Sequence, residues 1–440
     1  MHKGSIISQV KPLKILISAY SCKPGEVSEP GVAWKQIEAL IRRNRYTITI
    51  VTRVKNVSSI KKELANLGCN VTSVIGVDLP AWARFWKKGH LAMHVYYYIW
   101  QFMAFFVAKR LDANKFFDVV HHLSFMTLRT NMIPFLRPPS IVGPVGGAQI
   151  PPRGFEEVLQ HPFKEQLRTL SIASMRLSPI FHRFLEKTDI LLLANRNNFW
   201  VVPDRLRHKC FIRQIGWDIP PGHICAERSV NANDAATLEL LRIYWGGRLI
   251  GWKGLEILLR SLPLVRDAGI KFRLDITGKG PDEKYFQSLV QKLGLENNVV
   301  FHGWLDKSQV CNLQNLSDVY VFTSLHETTG TALFEMMALG KPLVVVDYAG
   351  PGEIIAKGGA LKISVGIDVN SSVNECAKHI VTLAENSDLR TSLGNEARAQ
   401  LESTYSWEAY ITYIEGLYET LSSGRRIMHA EINDTSKNSV

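Results

Sequence analysis

DVYVFTSLHETTGTALFEMMALGKPLVVVD, residues 318–347, sets the architecture of half the chain. DVYVFT (318–323) is a short apolar run rich in β-branched and aromatic residues, the composition of a buried strand. The Thr-Thr-Gly-Thr turn that follows opens a helix, Gly340-Lys341-Pro342 closes it, and PLVVVD (342–347) is a second strand. Strand, helix and strand in so short a span make a βαβ unit of a parallel sheet.

The alternation continues outward. RIYWGG (242–247), FRLDITG (272–278) and NVVFHG (298–303) read as strands with helical segments between them. Upstream, LKILISA (13–19) precedes a helix near 32–42 and the strands TITIVT (47–52) and VTSVIGV (71–77). FFDVVHHL (116–123), SIVGPVGG (140–147), DILLLA (189–194) and KCFIRQI (209–215) continue the series, with a largely helical stretch over 155–187. A chain of 440 residues exceeds the roughly 250–300 that one core serves. The expected organisation is two doubly wound, Rossmann-like α/β domains over 1–210 and 211–404, facing across a cleft. The polar stretch AERSVNANDAATLE (226–239) precedes the second. YSWEAYITYIEGLYETL (405–421) has the i, i+3/i+4 apolar spacing of an amphipathic helix, and the polar tail 422–440 is expected to be disordered.

Charge divides the chain. Residues 1–220 carry 31 Lys and Arg against 14 Asp and Glu, whereas 221–440 carry 21 against 26. A basic first half points to an anionic partner, a membrane surface or a phosphorylated lipid, unless it is only a solvated face. LAMHVYYYIWQFMAFFVAKRL (91–111), preceded by the aromatic and basic AWARFWKKGH, admits three readings: a buried helix, a membrane-surface helix, or a span. A span would interrupt an otherwise complete α/β domain. Cys22, Cys69, Cys210, Cys225, Cys311 and Cys376 form no C-x-x-C pair and have no zinc-ligand spacing. They read as reduced thiols, and the start MHKGSIISQVKPLK lacks the apolar core of a signal peptide. The expected location is cytoplasmic, with peripheral association at the inner face of a membrane.

The chemistry-bearing residues gather in the second half. Glu327 and Glu335 bracket the turn with seven residues between them. The strand delivers Glu327 to the carboxyl edge of the sheet, where open α/β sheets bind ligands. The helix start at Gly330-Thr331 offers free N–H groups and a positive dipole end to a diphosphate. Glu335, farther along, can accept from ribose hydroxyls, and Glu327 can do the same for a sugar. In GGRLIGWKGLEILLRSL (246–262), Arg248 and Lys253 are held near a helix start, two cations that suit a pyrophosphate. ITGKGPDE (276–283) runs a strand into a Gly278-Lys279-Gly280-Pro281 turn, either a phosphate loop or tight turn geometry.

These pieces, in this order and at this spacing, resemble the retaining glycosyltransferases of family 4 (glycosyl transferases group 1), which have the GT-B fold. The resemblance covers nearly the whole chain. It implies that Arg248 and Lys253 neutralise a donor diphosphate, that Glu335 holds the ribose and that Glu327 orients the transferred sugar. Gly278, Gly330 and Thr331 would complete the donor site. The last helix, 406–418, would cross back to the first domain, which would bind the acceptor. SEPGVAW (28–34), DVVHHLSF (118–125) and GPVGGAQIPP (143–152) look like a subgroup of the family, with Gly31, Gly146 and Gly147 on acceptor-side loops. Where members often carry a histidine, Leu123 stands here, after His121 and His122. Alternation sends those two to opposite faces, so at most one faces the cleft, and His122 is favoured as the catalytic one. Thr328 and Thr329 replace the usual Gly and aliphatic residues after the first Glu.

The function expected is transfer of a sugar from a nucleotide diphosphate sugar to a hydroxyl, with retention, in polysaccharide, lipopolysaccharide or glycolipid assembly. The acceptor would be a saccharide or lipid-linked saccharide, with no nucleic acid partner. No D-x-D motif sits in a donor loop, so no metal or further cofactor is expected. Two rivals differ in class. A Rossmann oxidoreductase would need a G-x-G-x-x-G after the first strand, which is missing. A non-catalytic protein of the same fold would have no use for the Glu327/Glu335/Arg248/Lys253 set.

Overall fold

Apolar β-branched runs become the strands of two parallel sheets, each covered on both faces. The computed structural model describes residues 11–26, 29–69, 72–84, 89–217, 240–356, 358–366 and 368–424. The start 1–10, the polar stretch 226–239, Cys225, part of the aromatic and basic stretch (85–88) and the tail beyond 424 lie outside the described residues. The first sheet contains β1 (Leu13–Ala19), β2 (Tyr46–Thr52), β3 (Ser73–Gly76), β4 (Val119–Ser124), β5 (Ser140–Val145), β6 (Ile190–Leu193) and β7 (Cys210–Ile212), in the spatial order β3-β2-β1-β4-β5-β6-β7. The second contains β8 (Leu241–Gly246), β9 (Phe272–Thr277), β10 (Val299–Gly303), β11 (Val319–Phe322), β12 (Leu343–Val346) and β13 (Ala360–Ile363), in the order β10-β9-β8-β11-β12-β13. Each order reverses beside its first strand, the doubly wound pattern, and two such domains make the GT-B fold. β13 was not read from the sequence; ALKI is a short edge strand with only Ile363 fully buried.

The helix Trp407–Ser422 belongs to the first domain's core. Trp407, Tyr410, Ile411, Ile414, Leu417 and Tyr418 are buried in one cluster with Ile15, Ile17, Ile48 and Val119. Around that apolar stripe stand polar ties: Tyr46 donates to Glu415 at 3.0 Å, Tyr410 to Gln36 at 2.9 Å, and Arg45 pairs with Glu419 at 2.8 Å. The chain crosses between domains twice, side by side, where Trp217 N–H donates to the Tyr405 carbonyl at 2.7 Å. Arg213 lies half-buried in this crossing, donating to the Ala409 carbonyl and stacked 4.6 Å from the Tyr413 ring centre.

The two strand histidines do point to opposite faces, but both faces are covered. His121 Nε2 donates to the Gly143 carbonyl at 3.0 Å, and the other nitrogen, Nδ1, meets the Tyr418 hydroxyl at 2.8 Å beneath the last helix. His122 lies between the Tyr97 hydroxyl and the Ser18 hydroxyl, each at 3.1 Å, beneath the helix Gly89–Lys115. Each ring is buried and engaged at both nitrogens. This corrects the expectation that His122 faces the cleft as a catalyst: the helices Trp407–Ser422 and Gly89–Lys115 cover the two faces of the strand, so neither ring is open. That long helix is itself two-sided. Tyr96, Tyr97, Trp100, Ala104 and Ala108 are buried, while Val95, Phe102 and Phe106 are exposed. Among the described residues no helix is long and apolar enough to cross a membrane.

Two outcomes follow. Ile414→Ala should destabilise the first domain by about 2–5 kcal/mol, the cost of emptying a fully buried site, read from urea unfolding. An unchanged midpoint would place the helix outside the core. Burial pushes His121 down to about 4 and His122 to about 3, from 6.5. Both stay neutral in the native chain while the unfolded chain binds protons below 6.5. Their contribution is therefore whole above pH 6.5 and lost as pH falls from 6.5 towards 4, by roughly 2 kcal/mol for each ring at pH 5. A double His121→Asn, His122→Asn variant that still folds should show a flatter fall in urea midpoint between pH 7 and pH 5.

Candidate active site

The carboxyl ends of β8, β9 and β11 deliver three loops to one place. At Gly278, φ is +114°, and a β-carbon there would come within 2.0 Å of the Gly247 carbonyl oxygen. At Gly254, φ is +69°, and a β-carbon would meet the Thr323 carbonyl oxygen at 2.0 Å. Only glycine allows both approaches. The Gly278-Lys279-Gly280 turn thus packs on the Gly247–Leu249 backbone, with Leu249 N–H donating to the Lys279 carbonyl at 3.2 Å.

Beside this junction lies a cavity of about 530 Å³. It is lined by the glycines of the junction with Arg248 and Lys279, by Gln314, Ala332 and Glu335, and by Tyr244, Thr277 and Tyr320. Tyr244 and Tyr320 stack with ring centres 5.6 Å apart, and Trp304, 80% exposed, stands at the rim. Glu335 is in the helix Thr331–Ala338, whose N-cap Gly330 has φ +89°. Burial raises the Glu335 carboxyl above its ordinary range, and the Gln314 amide, donating at 3.1 Å, works the other way. Gln314 carries no signal in the sequence: it is one polar residue in the helix Lys307–Leu316.

Glu327 does not line this cavity. It forms an ion pair with Lys253, with 15% and 18% of their side chains exposed, and accepts from the Ser324 hydroxyl at 3.3 Å. Burial pushes the Lys253 ammonium down to about 8; a carboxylate in contact is what so desolvated a cation needs to remain charged. Arg248, by contrast, is exposed at the cavity. The loop carrying Glu327 is also where the domains touch. Asn195 donates to the Thr328 carbonyl at 2.9 Å and Gln149 to the Thr328 hydroxyl at 3.0 Å. A β-carbon on Gly146 would come within 2.3 Å of Thr328, so Gly146 fits only as glycine, and Gly147 beside it has φ +90°.

Gly31 is corrected. It is buried, and a β-carbon there would fall 1.7 Å from the Glu26 carbonyl oxygen, so its own loop requires it rather than a substrate. Two residues earlier, Glu29 accepts from Met126 N–H at 2.6 Å and is pushed up to about 7 by burial. Two further residues escaped the sequence reading. His326, in contact with Trp252 at 5.3 Å between ring centres, has a buried Nδ1 without a partner among the described residues. Arg168 donates to the Gln149 carbonyl at 2.9 Å from a helix of the first domain. Among the described residues no three His, Cys, Asp or Glu side chains are grouped as a metal would need.

Comparison with known proteins places the fold and the second domain. Residues 239–400 match the family model described as Glycosyl transferases group 1. A glycosyltransferase of Methanocaldococcus jannaschii is 26% identical over 185 residues, 41% of this chain and 45% of that protein. The lipopolysaccharide core biosynthesis glycosyltransferase LpsD of Rhizobium meliloti is 28% identical over 164 residues, 37% of this chain and 45% of that protein. The aligned segment thus spans less than half the length of these relatives. Among solved structures, HepE of Anabaena in complex with UDP and glucose superposes with a TM-score of 0.52 at 19% identity, over 93% of this chain and 100% of that one. WaaG, a glycosyltransferase involved in lipopolysaccharide biosynthesis, gives 0.53 at 15% identity, over 92% and 99%. The chain has the GT-B fold, and its second domain, over residues 239–400, is similar to the glycosyl transferases of group 1.

Proposed function

We propose that this protein transfers a hexosyl group from a nucleotide diphosphate sugar to a hydroxyl, with retention at the anomeric carbon, as the resemblance to family 4 implies. The observation that carries the reading is the cavity at the three-loop junction, lined by both Glu335 and the Arg248 cation, with the Lys253–Glu327 pair outside it on the loop that meets the first domain. A nucleoside fits the ring-lined pocket, its ribose hydroxyls donate to Glu335, and the diphosphate runs towards Arg248, Lys253 and the start of the helix at Gly330-Thr331. The bond between the anomeric carbon and the diphosphate oxygen breaks, the acceptor hydroxyl oxygen bonds to that carbon on the same face, its proton passes to the departing diphosphate oxygen, and negative charge grows on the leaving diphosphate as the bond breaks. Cations held in place beforehand stabilise that charge without reorganising. Glu327 faces the sugar end of the donor, and Lys253 divides its charge between this carboxylate and the phosphate.

The acceptor enters from the first domain, past Gly146, Gly147 and Gln149. A saccharide or lipid-linked saccharide at the inner face of an anionic membrane suits the basic first half, and some relatives are named for lipopolysaccharide core and colanic acid biosynthesis. No metal or cofactor is required, since Arg248 and Lys253 supply the positive charge.

Calorimetry with UDP, GDP, ADP and NAD tests the donor site. One nucleoside diphosphate should bind, and Glu335→Ala should abolish that binding. NAD binding instead, or no nucleotide binding at all, would overturn the proposal. Lys253→Ala and Arg248→Ala should each lower kcat/KM by the equivalent of about 2–4 kcal/mol. Transfer with the nucleotide sugar so identified should survive EDTA unchanged, and loss of activity on chelation would remove the claim that side chains alone carry the diphosphate charge.

A further inference from the structure

The outer surface of the first domain carries apolar side chains where a solvated α/β domain would place polar ones. In the helix Pro162–Ala173, Phe163, Leu167 and Leu170 lie within about 60° of one another around the axis, and the buried Ile172 lies about 180° away. The three are exposed, Leu170 to 65%, and the row continues into Leu177 at 84% and Ile180. The helix Gly89–Lys115 does the same: exposed Val95, Phe102 and Phe106 fall within about 40°, opposite Trp100 and Ala104.

Both rows face the same way. Leu16 and Val120 pair in register and pack under the Gly89–Lys115 helix. Val120 pairs with Ser140, two residues and hence one side-chain repeat from Val142, which packs with Leu191 under Phe181 and Phe184. The segment Ile133–Phe135 touches both the long helix and the helix Pro179–Lys187. Exposed Lys109, Arg110, Lys164, Arg176 and Lys187 stand among these apolar side chains, and the acids Glu165 and Glu186 are already paired, Glu165 with Arg168 and Glu186 with Arg183 and Arg205.

We propose that this face seats the protein on an anionic lipid bilayer, with Leu167, Leu170, Phe102 and Phe106 entering the headgroup boundary and the cations meeting lipid phosphates. A second copy of the chain would bring Lys109, Arg110, Lys164, Arg176 and Lys187 against like charges, whereas an anionic membrane satisfies both chemistries. Arg168, on the inner side of the same helix, bonds Gln149 at the domain contact, so a seated protein holds its acceptor side against the lipid. The inference rests on the transferase reading and names the surface that brings a lipid-linked acceptor within reach.

The full chain should co-sediment at low salt with vesicles containing phosphatidylglycerol and not with pure phosphatidylcholine. Leu167→Ser with Leu170→Ser, and Phe102→Ser with Phe106→Ser, should each weaken that binding by roughly tenfold or more. Nucleoside diphosphate binding, measured on the same preparations, should not change. Variants that pellet as well as the parent chain overturn the surface. A parent chain that ignores vesicles yet binds nucleotide overturns the surface and leaves the transferase reading standing. A dimer seen by sedimentation velocity, dissolved by the same substitutions without any vesicle binding, also overturns it and makes this face a contact between copies.

Discussion

The candidate site depends on backbone touching backbone. Where Gly278 meets Gly247, and Gly254 meets Thr323, no β-carbon fits between the chains. Parallel strands bring their carboxyl ends to one edge, but the loops that leave them normally keep a side chain's distance apart. Here glycine removes that distance. The loop that carries Arg248 and Lys253, the Gly278-Lys279 turn and the loop after β11 therefore share one small volume, and the cavity beside them is lined by Gly247, Gly278 and Glu335 among others. Substitution at either glycine would combine left-handed backbone strain with a direct clash, so the positions specify the site as firmly as its charged residues do.

The second constraint is electrostatic. A lysine and a glutamate largely withdrawn from water are costly unless they find each other, and removal of one leaves the other stranded. Lys253 and Glu327 come from different loops, so their pairing joins the β8 and β11 ends of the sheet. Thr328, the next residue, receives Gln149 and Asn195 from the other domain. Any change in the charge of that pair is thus felt one residue away from the domain contact. A diphosphate that draws Lys253 towards itself changes the very loop on which the two domains meet.

The strands and their order of appearance were legible because a sheet covered on both faces needs continuous apolar runs, which stand out from their surroundings. LKILISA, DVYVFT and PLVVVD lie within a residue of the strands they form. ALKI is a four-residue edge strand interrupted by a lysine and mostly half-buried, so it lacks such a run, whereas the edge strands in NVVFHG and KCFIRQI keep one. Glu335 and Arg248 could be placed because a strand, a turn and a helix start fix where they stand. Gln314 and Arg168 could not, since each reaches the site from a helix whose sequence carries no sign of it, and His326, although it stands next to Glu327, gains its place from Trp252, 74 residues earlier. Alternation predicted the opposite faces of His121 and His122, yet said nothing of what covers each face. The coverings are Tyr418, which follows His121 by 297 residues, and Tyr97, which precedes His122 by 25. Gly31 shows the same gap: a glycine in a loop before a helix signals a close approach, and the sequence does not say whether to a ligand or to the chain itself.

The long helix Gly89–Lys115 shows why apolar content alone does not decide between core and surface. Its sequence is apolar nearly all round, as a buried or membrane helix would be. The sheet can cover only one side. Tyr96, Tyr97 and Trp100 take that side, with the Trp100 indole donating to the Val77 carbonyl at 2.8 Å, and Phe102 and Phe106 are left outside. Burial of the first group fixes the helix's rotation, so the exposure of the second is imposed by packing and is no accident of a side-chain rotamer. The same holds for Phe163, Leu167 and Leu170, turned outward because Ile172 is turned in. Two helices of one face thus expose apolar rows for the same mechanical reason, within the half of the chain that carries the excess of positive charge.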